Sequence, residues 1–481
     1  MPIEFYNTLA RKKTPLDPTR DSKKVGMYAC GLTVYNYAHI GNVRTLVWYD
    51  QIRRYLEYRG FDVTYVMNYT DVDDKIIERA KVEGNTPDEV AQKYAQAFED
   101  DMKALGAESP TILALATEHI DDMIADIGKL IENGFAYEAD GDVYFAVEKF
   151  DGYGKLSNRT LDDMRAGERI EPSEKKTHPL DFALWKAAKE GEPAWSSPWG
   201  EGRPGWHIEC SVMSLKHLGM GFDIHGGATD LIFPHHENEI AQAEALTGEE
   251  PFARHWIHAG LVQMDAEKMS KSLGNVVLVR DLLEHYSGVV ARYWVLTSSI
   301  RSQAIFTSAA LDDAQQAYER LKNFYDVSTH VLGDAMPAVP RDVRRDADDD
   351  APGGEHLDFV RRFIEEMDDD FNSAGALAVL HDLVRSGNKL VEDAQRGDES
   401  DRKSLIGHVE VFLELTSVLN LEFESSAVGS ELAGNLIEFL LELRDKAREE
   451  KAFERADAIR AKLGELGVSI EDTPAGTRWR V

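Results

Sequence analysis

The first 70 residues carry hydrophobic and polar positions in a pattern typical of a parallel α/β sheet. Residues 24–30 and 61–68 predict short strands, and apolar residues recur at helical spacing over 42–58. This strand–helix–strand order indicates a doubly wound sheet. Cys30 then lies where a strand ends, and His39 lies where a helix begins. Ligands bind at that edge of such sheets, and a helix N-terminus suits phosphate.

The rest of the chain predicts further helices and strands, interrupted by two irregular stretches. Residues 151–206 are rich in Gly, Pro, Ser and charge, which indicates an inserted module whose elements the pattern does not place. Residues 336–356 combine Pro, Gly and an acidic run, which indicates a linker. The other predicted elements are helices at 74–83, 86–105, 118–133 and 234–246, strands at 143–147, 222–225 and 256–262, a loop at 69–74, helical chain from 279 and over 357–421, and a long helix with a short tail at 436–481.

Composition narrows the class of protein. With 481 residues, 43% of them hydrophobic, the chain has room for three or four globular domains. It has no apolar run of membrane-spanning length and no leader pattern, and two cysteines do not make a disulfide scaffold, so we expect a cytoplasmic protein. The net charge of −32 is typical of proteins from a salt-rich cytoplasm and is weak evidence against a nucleic-acid partner.

Four side chains have the donor chemistry of a zinc site. Cys30 and Cys210 offer thiolates, and His235 and Glu239, four residues apart, project from one face of the predicted helix. Two thiolates, an imidazole and a carboxylate suit tetrahedral zinc. The alternative is that the His–Glu pair is a solvated helix face and that the two cysteines are unrelated.

Residues 267–275 form a second candidate site, a loop with two lysines three residues apart. Lys268 and Lys271 stand among small residues, and Gly274 permits a turn. Such a loop can wrap a polyphosphate through charge and hydroxyl contacts. By composition alone, an ordinary surface loop is the alternative.

Taken together, these motifs resemble the paired signatures of the class I aminoacyl-tRNA synthetases. His39-Ile-Gly-Asn42 is similar to the first signature, and Lys268-Met-Ser-Lys-Ser272 is similar to the second. Asn42 replaces a second histidine, and it can donate to a phosphate oxygen without carrying charge. The segments similar to the cysteinyl-tRNA synthetase family are Cys30, 70–75, 206–210, 222–227, 235–239 and 367–372, and the likeness extends from Ile3 to Trp479.

The resemblance implies a two-step reaction with ATP, L-cysteine and tRNA(Cys). The cysteine carboxylate attacks the α-phosphate to give cysteinyl-adenylate and pyrophosphate, and the 3′-terminal ribose of the tRNA then takes the cysteinyl group. The resemblance also implies magnesium with the ATP, a monomer, and one zinc ion that binds the substrate thiolate in preference to the alcohol of serine.

The same resemblance assigns the site residues. Without it, the amino-acid and anticodon positions are explained as turn, core or solvated surface residues. The implied residues are His39, Gly41, Asn42, Lys268 and Lys271 for ATP and catalysis, with Lys271 contributing most; Cys30, Cys210, His235 and Glu239 for zinc; Thr70, Trp206 and Asp230 for cysteine; and Arg448, Asp457, Asp472 and Trp479 for the anticodon.

The expected architecture is a Rossmann-type α/β catalytic domain with an inserted module, followed by a helical bundle and a small C-terminal domain. Residues 436–481 hold nine Lys and Arg against ten Asp and Glu, and in the light of the resemblance this near-neutral block favours phosphate contact over an ordinary mixed helix surface. The expected boundaries are 1–110 and 207–262 for the two halves of the catalytic domain, 111–206 for the insertion, 263–335 for the lysine loop and stem-contact region, 336–356 for the linker, 357–430 for the bundle on the anticodon stem, and 431–481 for the anticodon-binding domain.

Two rival functions remain open at this point. A cysteine ligase of the same architecture could pass its adenylate to an amino-sugar, but it would not need residues 357–481. A catalytically inactive tRNA-binding or zinc-sensing protein would not need His39, Lys268 and Lys271.

Overall fold

The computed structural model describes residues 2–17, 23–167, 175–264, 267–268, 277–340, 343–345, 356–396, 399–423, 427–466, 468–473 and 476–480. Two compact units comprise Met1–Glu422 and Phe423–Val481. The strands are β1 (Glu4–Asn7), β2 (Lys12–Pro15), β3 (Lys24–Thr33), β4 (Asp62–Thr70), β5 (Ile112–Leu115), β6 (Ala136–Ala139), β7 (Asp142–Phe145), β8 (Phe182–Ala187), β9 (Trp195–Ser197), β10 (Gly200–Pro204), β11 (Phe222–Ala228), β12 (Ala253–Ala259), β13 (Val262–Met264), β14 (Glu267–Lys268), β15 (Ala304–Phe306), β16 (Ser469–Thr473) and β17 (Gly476–Arg480).

The helices of the described residues alternate with these strands in the first unit and then dominate. They are α1 (Ile40–Tyr58), α2 (Asp74–Glu83), α3 (Pro87–Ala104), α4 (Ile120–Glu132), α5 (Leu161–Gly167), α6 (Trp206–His217), α7 (Glu237–Thr247), α8 (Val279–Leu283), α9 (Gly288–Leu296), α10 (Ser308–Leu332), α11 (Leu357–Asp368), α12 (Ser373–Gln395), α13 (Glu399–Val418), α14 (Ala427–Glu449) and α15 (Phe453–Glu465). None of these helices is long and apolar enough to cross a bilayer.

A five-stranded parallel sheet forms the centre of the first unit. Its order is β12-β11-β3-β4-β5, and every neighbouring pair is parallel. The predicted α/β class is therefore confirmed. The order reverses direction at β3, so the carboxyl ends of β3 and β11 define the crevice where such sheets bind ligands. Tyr69 and Thr70 belong to β4 rather than to the predicted loop.

The insertion contains its own antiparallel sheet, of order β6-β7-β8-β10-β9. The strand predicted at 143–147 is β7 of this sheet. β5 lies inside the range assigned to the insertion, but it pairs with β4, so the parallel sheet continues beyond residue 110. The elements that the pattern did not place in 151–206 include α5, β8, β9 and β10.

Two predicted elements near the sheet's ligand edge begin or end at other residues. The helix predicted from Pro234 is α-helical from Glu237. The turn Ile232–His236 precedes it and contains Phe233, which has extended backbone angles (φ −140°, ψ 133°). The strand predicted at 256–262 is divided by Gly260 into the end of β12 and the start of β13. β13 pairs with β14 and β15 in a separate three-stranded sheet.

Helix α1 joins the parallel sheet to the helical bundle within the first unit. The Tyr55 hydroxyl donates to the Asp368 carboxylate of α11 at 2.6 Å, and the Tyr58 hydroxyl donates to Glu414 of α13 at 2.8 Å. The Gln51 amide donates to the carbonyl of Val418 at 3.0 Å. Most of α1 is buried because the sheet and the bundle cover opposite sides of it.

The C-terminal unit differs from its predicted form. Two helices, α14 and α15, are followed by an antiparallel hairpin of β16 and β17, whereas the sequence predicted one long helix and a tail. The single helix was wrong because Lys451 adopts a left-handed conformation (φ 60°), which ends the first helix. A small core packs α14 and α15 against the hairpin, with Ile437, Leu441, Leu463 and Val468 buried and Trp479 partly buried against them.

Candidate active site

The four predicted metal ligands meet at the carboxyl edge of the parallel sheet. Cys30 lies near the end of β3, beside an irregularity in its pairing with β4, and Cys210 lies in the first turns of α6. His235 and Glu239 come from the turn before α7 and from its first turn. All four are buried, and one donor atom from each lies within 4.8 Å of the others.

The distances inside this cluster are short enough for one ion to be shared. The two sulfur atoms are 3.7 Å apart, and Cys30 Sγ is 3.5 Å from Oε1 of Glu239. Nε2 of His235 is 2.9 Å from the same oxygen. Tetrahedral zinc has bonds of about 2.0–2.3 Å, so its ligand atoms lie roughly 3–4 Å apart. The donor set and its spacing therefore fit zinc.

Neighbouring side chains orient the ligand atoms. Oε2 of Glu239 lies 2.6 Å from Nε2 of His225, which leaves Oε1 toward the cluster. Nδ1 of His235 lies 2.8 Å from Nδ1 of His207, so Nε2 is the atom directed at the cluster. The indole of Trp206 stacks on the His235 ring, and the two ring centroids are 4.2 Å apart. Partners of this kind fix the tautomer and direction of a metal-binding imidazole.

The charges of the cluster are strongly coupled. Burial raises the pKa of the Cys30 thiol well above its usual value, whereas the hydrogen bond from Cys30 lowers the pKa of Cys210 to about 6. Burial alone would raise the pKa of Glu239, but His225 and His235 hold it well below its usual range. Burial opposes protonation of His235, yet Glu239 raises its pKa to about 10. A thiolate and a carboxylate thus lie side by side in a buried site, which favours a divalent cation.

A second group of possible donors shares Cys30 but fits an ion less well. Cys30, His225 and His236 also have donor atoms close together. However, His225 faces the Glu239 carboxylate, and Nδ1 of His236 is 2.8 Å from Nε2 of His258. Each imidazole thus has one ring nitrogen already engaged, and the group offers three donors. The predicted set offers the four donors that complete a tetrahedral zinc site, so it is the better metal site.

Two of the three residues predicted to bind cysteine, Thr70 and Trp206, contact the cluster or its neighbours in sequence. The Thr70 hydroxyl donates to Oε2 of Glu209 at 2.7 Å, next to Cys210. Trp206 lines a cavity of about 350 Å³. Thr33 and three lysines, Lys75, Lys176 and Lys186, line the same cavity. Asp230 is exposed in the turn Thr229–Leu231, between β11 and the turn that carries His235.

The first signature lies at the N-terminus of α1. His39 is the residue before the helix, with extended backbone (φ −112°, ψ 165°), and its N–H donates to Oδ1 of Asn42 at 3.2 Å. Gly41 lies in the first turn. Lys268 is in β14, but its side chain and the whole of Lys271 lie outside the described residues, so their predicted roles stay predictions.

The predicted anticodon residues lie in the C-terminal unit. Arg448 near the end of α14 and Asp457 on α15 are exposed. Trp479 is on β17 and packs against the small core. Asp472 is in β16, with its side chain outside the described residues. The structure places them in one unit.

Several residues that support the cluster were not predicted from the sequence. His207, Glu209 and His225 stand within the motifs quoted above, and Asn68 accepts from the Gly31 N–H at 3.0 Å. A polar residue directly after an apolar residue in the buried part of a strand, such as His225 in β11 or Asn68 in β4, is the signal that could have found them.

Comparison with known proteins identifies the class. Methionyl-tRNA synthetase of Mycobacterium tuberculosis has the same fold, with a TM-score of 0.58 and 14% identity over 83% of this chain and 90% of that one. Residues 17–316 match the family described as tRNA synthetases class I (C) catalytic domain. Fold and catalytic domain therefore define a class I aminoacyl-tRNA synthetase.

The remaining matches identify the family within that class. Residues 362–424 match the DALR domain, and residues 437–480 match the cysteinyl-tRNA ligase anticodon binding domain. The cysteine–tRNA ligase of Carboxydothermus hydrogenoformans is 48% identical over 99% of this chain and 100% of its own length, and that of Heliobacterium modesticaldum is 45% identical over 100% of both chains. The chain belongs to the cysteine–tRNA ligase family, which confirms the resemblance inferred from the two signatures.

Proposed function

We propose that the enzyme activates L-cysteine with ATP and magnesium to give cysteinyl-adenylate, and transfers the cysteinyl group to the 3′-terminal ribose of tRNA(Cys). In this proposal one zinc ion selects the substrate by its sulfur. The observation that carries the proposal is the convergence of Cys30, Cys210, His235 and Glu239 within 4.8 Å at the sheet's ligand edge. The cysteinyl-tRNA ligase anticodon domain at 437–480 favours tRNA over an amino-sugar as the acceptor.

The amino-acid pocket selects cysteine in two ways. When bound, zinc supplies a soft ligand site that stabilises the substrate sulfur as a thiolate, which an alcohol does not match. Trp206 packs over His235 and limits the size of the side chain admitted. Asp230 offers an exposed carboxylate for the substrate ammonium, and the Thr70–Glu209 pair holds the wall behind Cys210. A simple pocket separates isosteric substrates by only about 1–3 kcal/mol, so the metal provides the remaining discrimination.

The ATP phosphates are proposed to bind between the α1 N-terminus and the lysine loop. Because Oδ1 of Asn42 accepts from the His39 N–H, its amide N–H groups are the end that can meet a phosphate oxygen. Lys268 and Lys271 would supply the charge that Asn42 lacks. Phosphoryl transfer depends mainly on such positioning and charge stabilisation.

The C-terminal unit is proposed to read the anticodon. Arg448 and Asp457 are exposed on two adjacent helices, where a guanidinium and a carboxylate can meet base edges. Trp479 packs one side against the core, which suits it to stacking an unpaired base with the other.

Pyrophosphate exchange tests the proposed function directly. The zinc-loaded enzyme should exchange pyrophosphate into ATP with cysteine and at least about 10⁴-fold less efficiently with serine, because a pocket alone reaches only about 10–200-fold. Chelation should remove the cysteine-dependent exchange, and added zinc should restore it. Equal exchange with both amino acids, or exchange that chelation leaves unchanged, would contradict the role of zinc.

Replacing His225 by glutamine should weaken metal binding without removing a ligand. The imidazole holds the carboxylate of Glu239 at 2.6 Å, and loss of such a partner typically costs about 10–100-fold in metal affinity. Competition with a chromophoric chelator measures the zinc dissociation constant. The matched control is His255→Gln, since the ring nitrogens of this buried histidine bond the carbonyls of Asp223 and Pro15 and its ring packs on Phe5, away from the cluster. Equal zinc affinity in the two variants would show that His225 has no part in the site.

A further inference from the structure

Arg44 is a fully buried arginine of α1 whose hydrogen-bond partners among the described residues are all main-chain carbonyls. Nη1 donates to the carbonyl of Gly260 and to that of Ile300 at 3.2 Å. Nη2 donates to the carbonyls of Ser299 and Ser302, both at 2.8 Å. One guanidinium therefore holds two chain segments that are about 40 residues apart in sequence, which is a geometry that its fixed fork of donors allows.

Both segments lead into the three-stranded sheet that carries Lys268. Gly260 precedes β13, and its N–H donates to the carbonyl of Ile300 at 2.8 Å; Ser302 precedes β15. A Cβ on Gly260 would lie 2.1 Å from the Ser302 oxygen, so the approach needs glycine. β13 pairs in parallel with β15 and antiparallel with β14, where Lys268 lies. The guanidinium thus joins the base of this sheet to α1.

The chain that follows the lysine segment is joined to the same end of α1. The N–H of Ile40 donates to the carbonyl of Val277, and the N–H of Val279 donates to the carbonyl of Ala38, both at 3.0 Å. The chain on both sides of 265–276 is therefore fixed to residues 38–44. On the side before the lysine segment, the hydrogen bonds from residues 38–44 to the described chain are made by the Arg44 guanidinium, and the Tyr49 hydroxyl of α1 adds one to the carbonyl of Ile257 at 2.8 Å.

We propose that Arg44 is a positioning residue for cysteine activation: it sets the separation between the first signature at the N-terminus of α1 and the strand that carries Lys268. The inference rests on the proposed ATP site and names a residue that neither signature contains. Arg44 does not touch the substrate in this role. It fixes the two main-chain elements from which the phosphate-binding groups project, and a displacement of about 1 Å in such groups can cost 10²-fold in rate.

The test compares Arg44→Met, Arg44→Lys and Gly260→Ala with Arg292→Lys. Arg292 is also fully buried, and it donates to the carbonyl of Leu419 at 2.8 Å and pairs with Asp50 at 2.6 Å. Arg292→Lys therefore measures the general effect of altering a buried arginine away from the junction of α1 with β13. In pyrophosphate exchange, kcat/KM for ATP should fall about 10²-fold in Arg44→Met and by an intermediate factor in Arg44→Lys, which keeps some of the donors. KM for cysteine should stay within about twofold.

Gly260→Ala disturbs the same junction from the other side, so it should lower kcat/KM for ATP even if the Arg44 variants fail to fold. Thermal denaturation identifies which variants are folded. Folded Arg44→Met or Gly260→Ala with ATP parameters equal to those of Arg292→Lys would overturn the inference. Absence of cysteine-dependent exchange in the unmodified enzyme would instead refute the proposed function, so the two failures are distinguishable.

Discussion

Cysteine-dependent pyrophosphate exchange should fall sharply when Cys210 is replaced by serine, and the discrimination between cysteine and serine in the exchange that remains should fall to no more than about 10²-fold. The sulfur of Cys210 lies 3.7 Å from that of Cys30, inside the buried cluster. An alcohol is a poor ligand for zinc, so the variant should bind the ion weakly. What remains is a pocket without a metal, whose discrimination is limited to about 1–3 kcal/mol. Metal content and the ratio of kcat/KM for the two amino acids measure both effects.

Ser214→Ala is the matched control for this variant. Ser214 is also buried on α6, one turn beyond Cys210, and its hydroxyl donates to the carbonyls of Cys210 and Ser211 at 2.6 and 3.0 Å. It should keep one zinc ion per chain and most of the exchange activity. If Cys210→Ser retained stoichiometric zinc and normal selectivity, the cluster would not be the metal site.

Removal of residues 423–481 should abolish charging of tRNA and leave cysteine activation intact. This cut follows the boundary between the two compact units. Stacking and hydrogen bonds to unpaired bases are worth about 1–3 kcal/mol per base, so loss of the anticodon contacts should lower kcat/KM for tRNA by at least about 100-fold. Exchange measured on the same preparation is the internal control. A shortened enzyme that charges tRNA at the full rate would refute anticodon reading by this unit.

A longer deletion from residue 357 would not test anticodon reading, because it would also disturb the folding of the first unit. Asp368 accepts from Tyr55 of α1, and the carbonyl of Leu419 accepts from Arg292 of α9. Removing these helices would leave buried polar groups of the catalytic domain without partners, at a cost of about 1–3 kcal/mol each. The deletion would therefore impair activation through folding.

The sequence was sufficient to predict strands and candidate ligands where burial or side-chain chemistry imposes a strong pattern. The strands beside Cys30 were predictable because both sides of a parallel sheet are covered and its strands are continuously apolar. The four candidate metal ligands could be named from the sequence because the chain has two cysteines and because His235 and Glu239 stand at helical spacing. That these four side chains lie close together could be seen only in the structure.

The elements that escaped prediction have weak local signals. β9 (Trp195–Ser197) is three residues long, and β10 (Gly200–Pro204) contains Gly and Pro, so only their pairing partners make them strands. The hairpin of β16 and β17 is polar on the whole, and the left-handed Lys451 that ends α14 has no sequence signature. His225 escaped for a different reason, since its role depends on Glu239, a residue on another element.

The distance along the chain between Cys30 and Glu239 has a consequence for biosynthesis. Cys30 can meet all of its partners in the cluster only after 209 further residues have been synthesised, because Glu239 is the last of the four in the chain. During translation, its thiol therefore leaves the ribosome long before the other three side chains of the cluster have been synthesised. In the proposed zinc site, metal loading has to follow the pairing of β11 with β3, so zinc shortage should leave newly made chains with an uncovered Cys30 thiol.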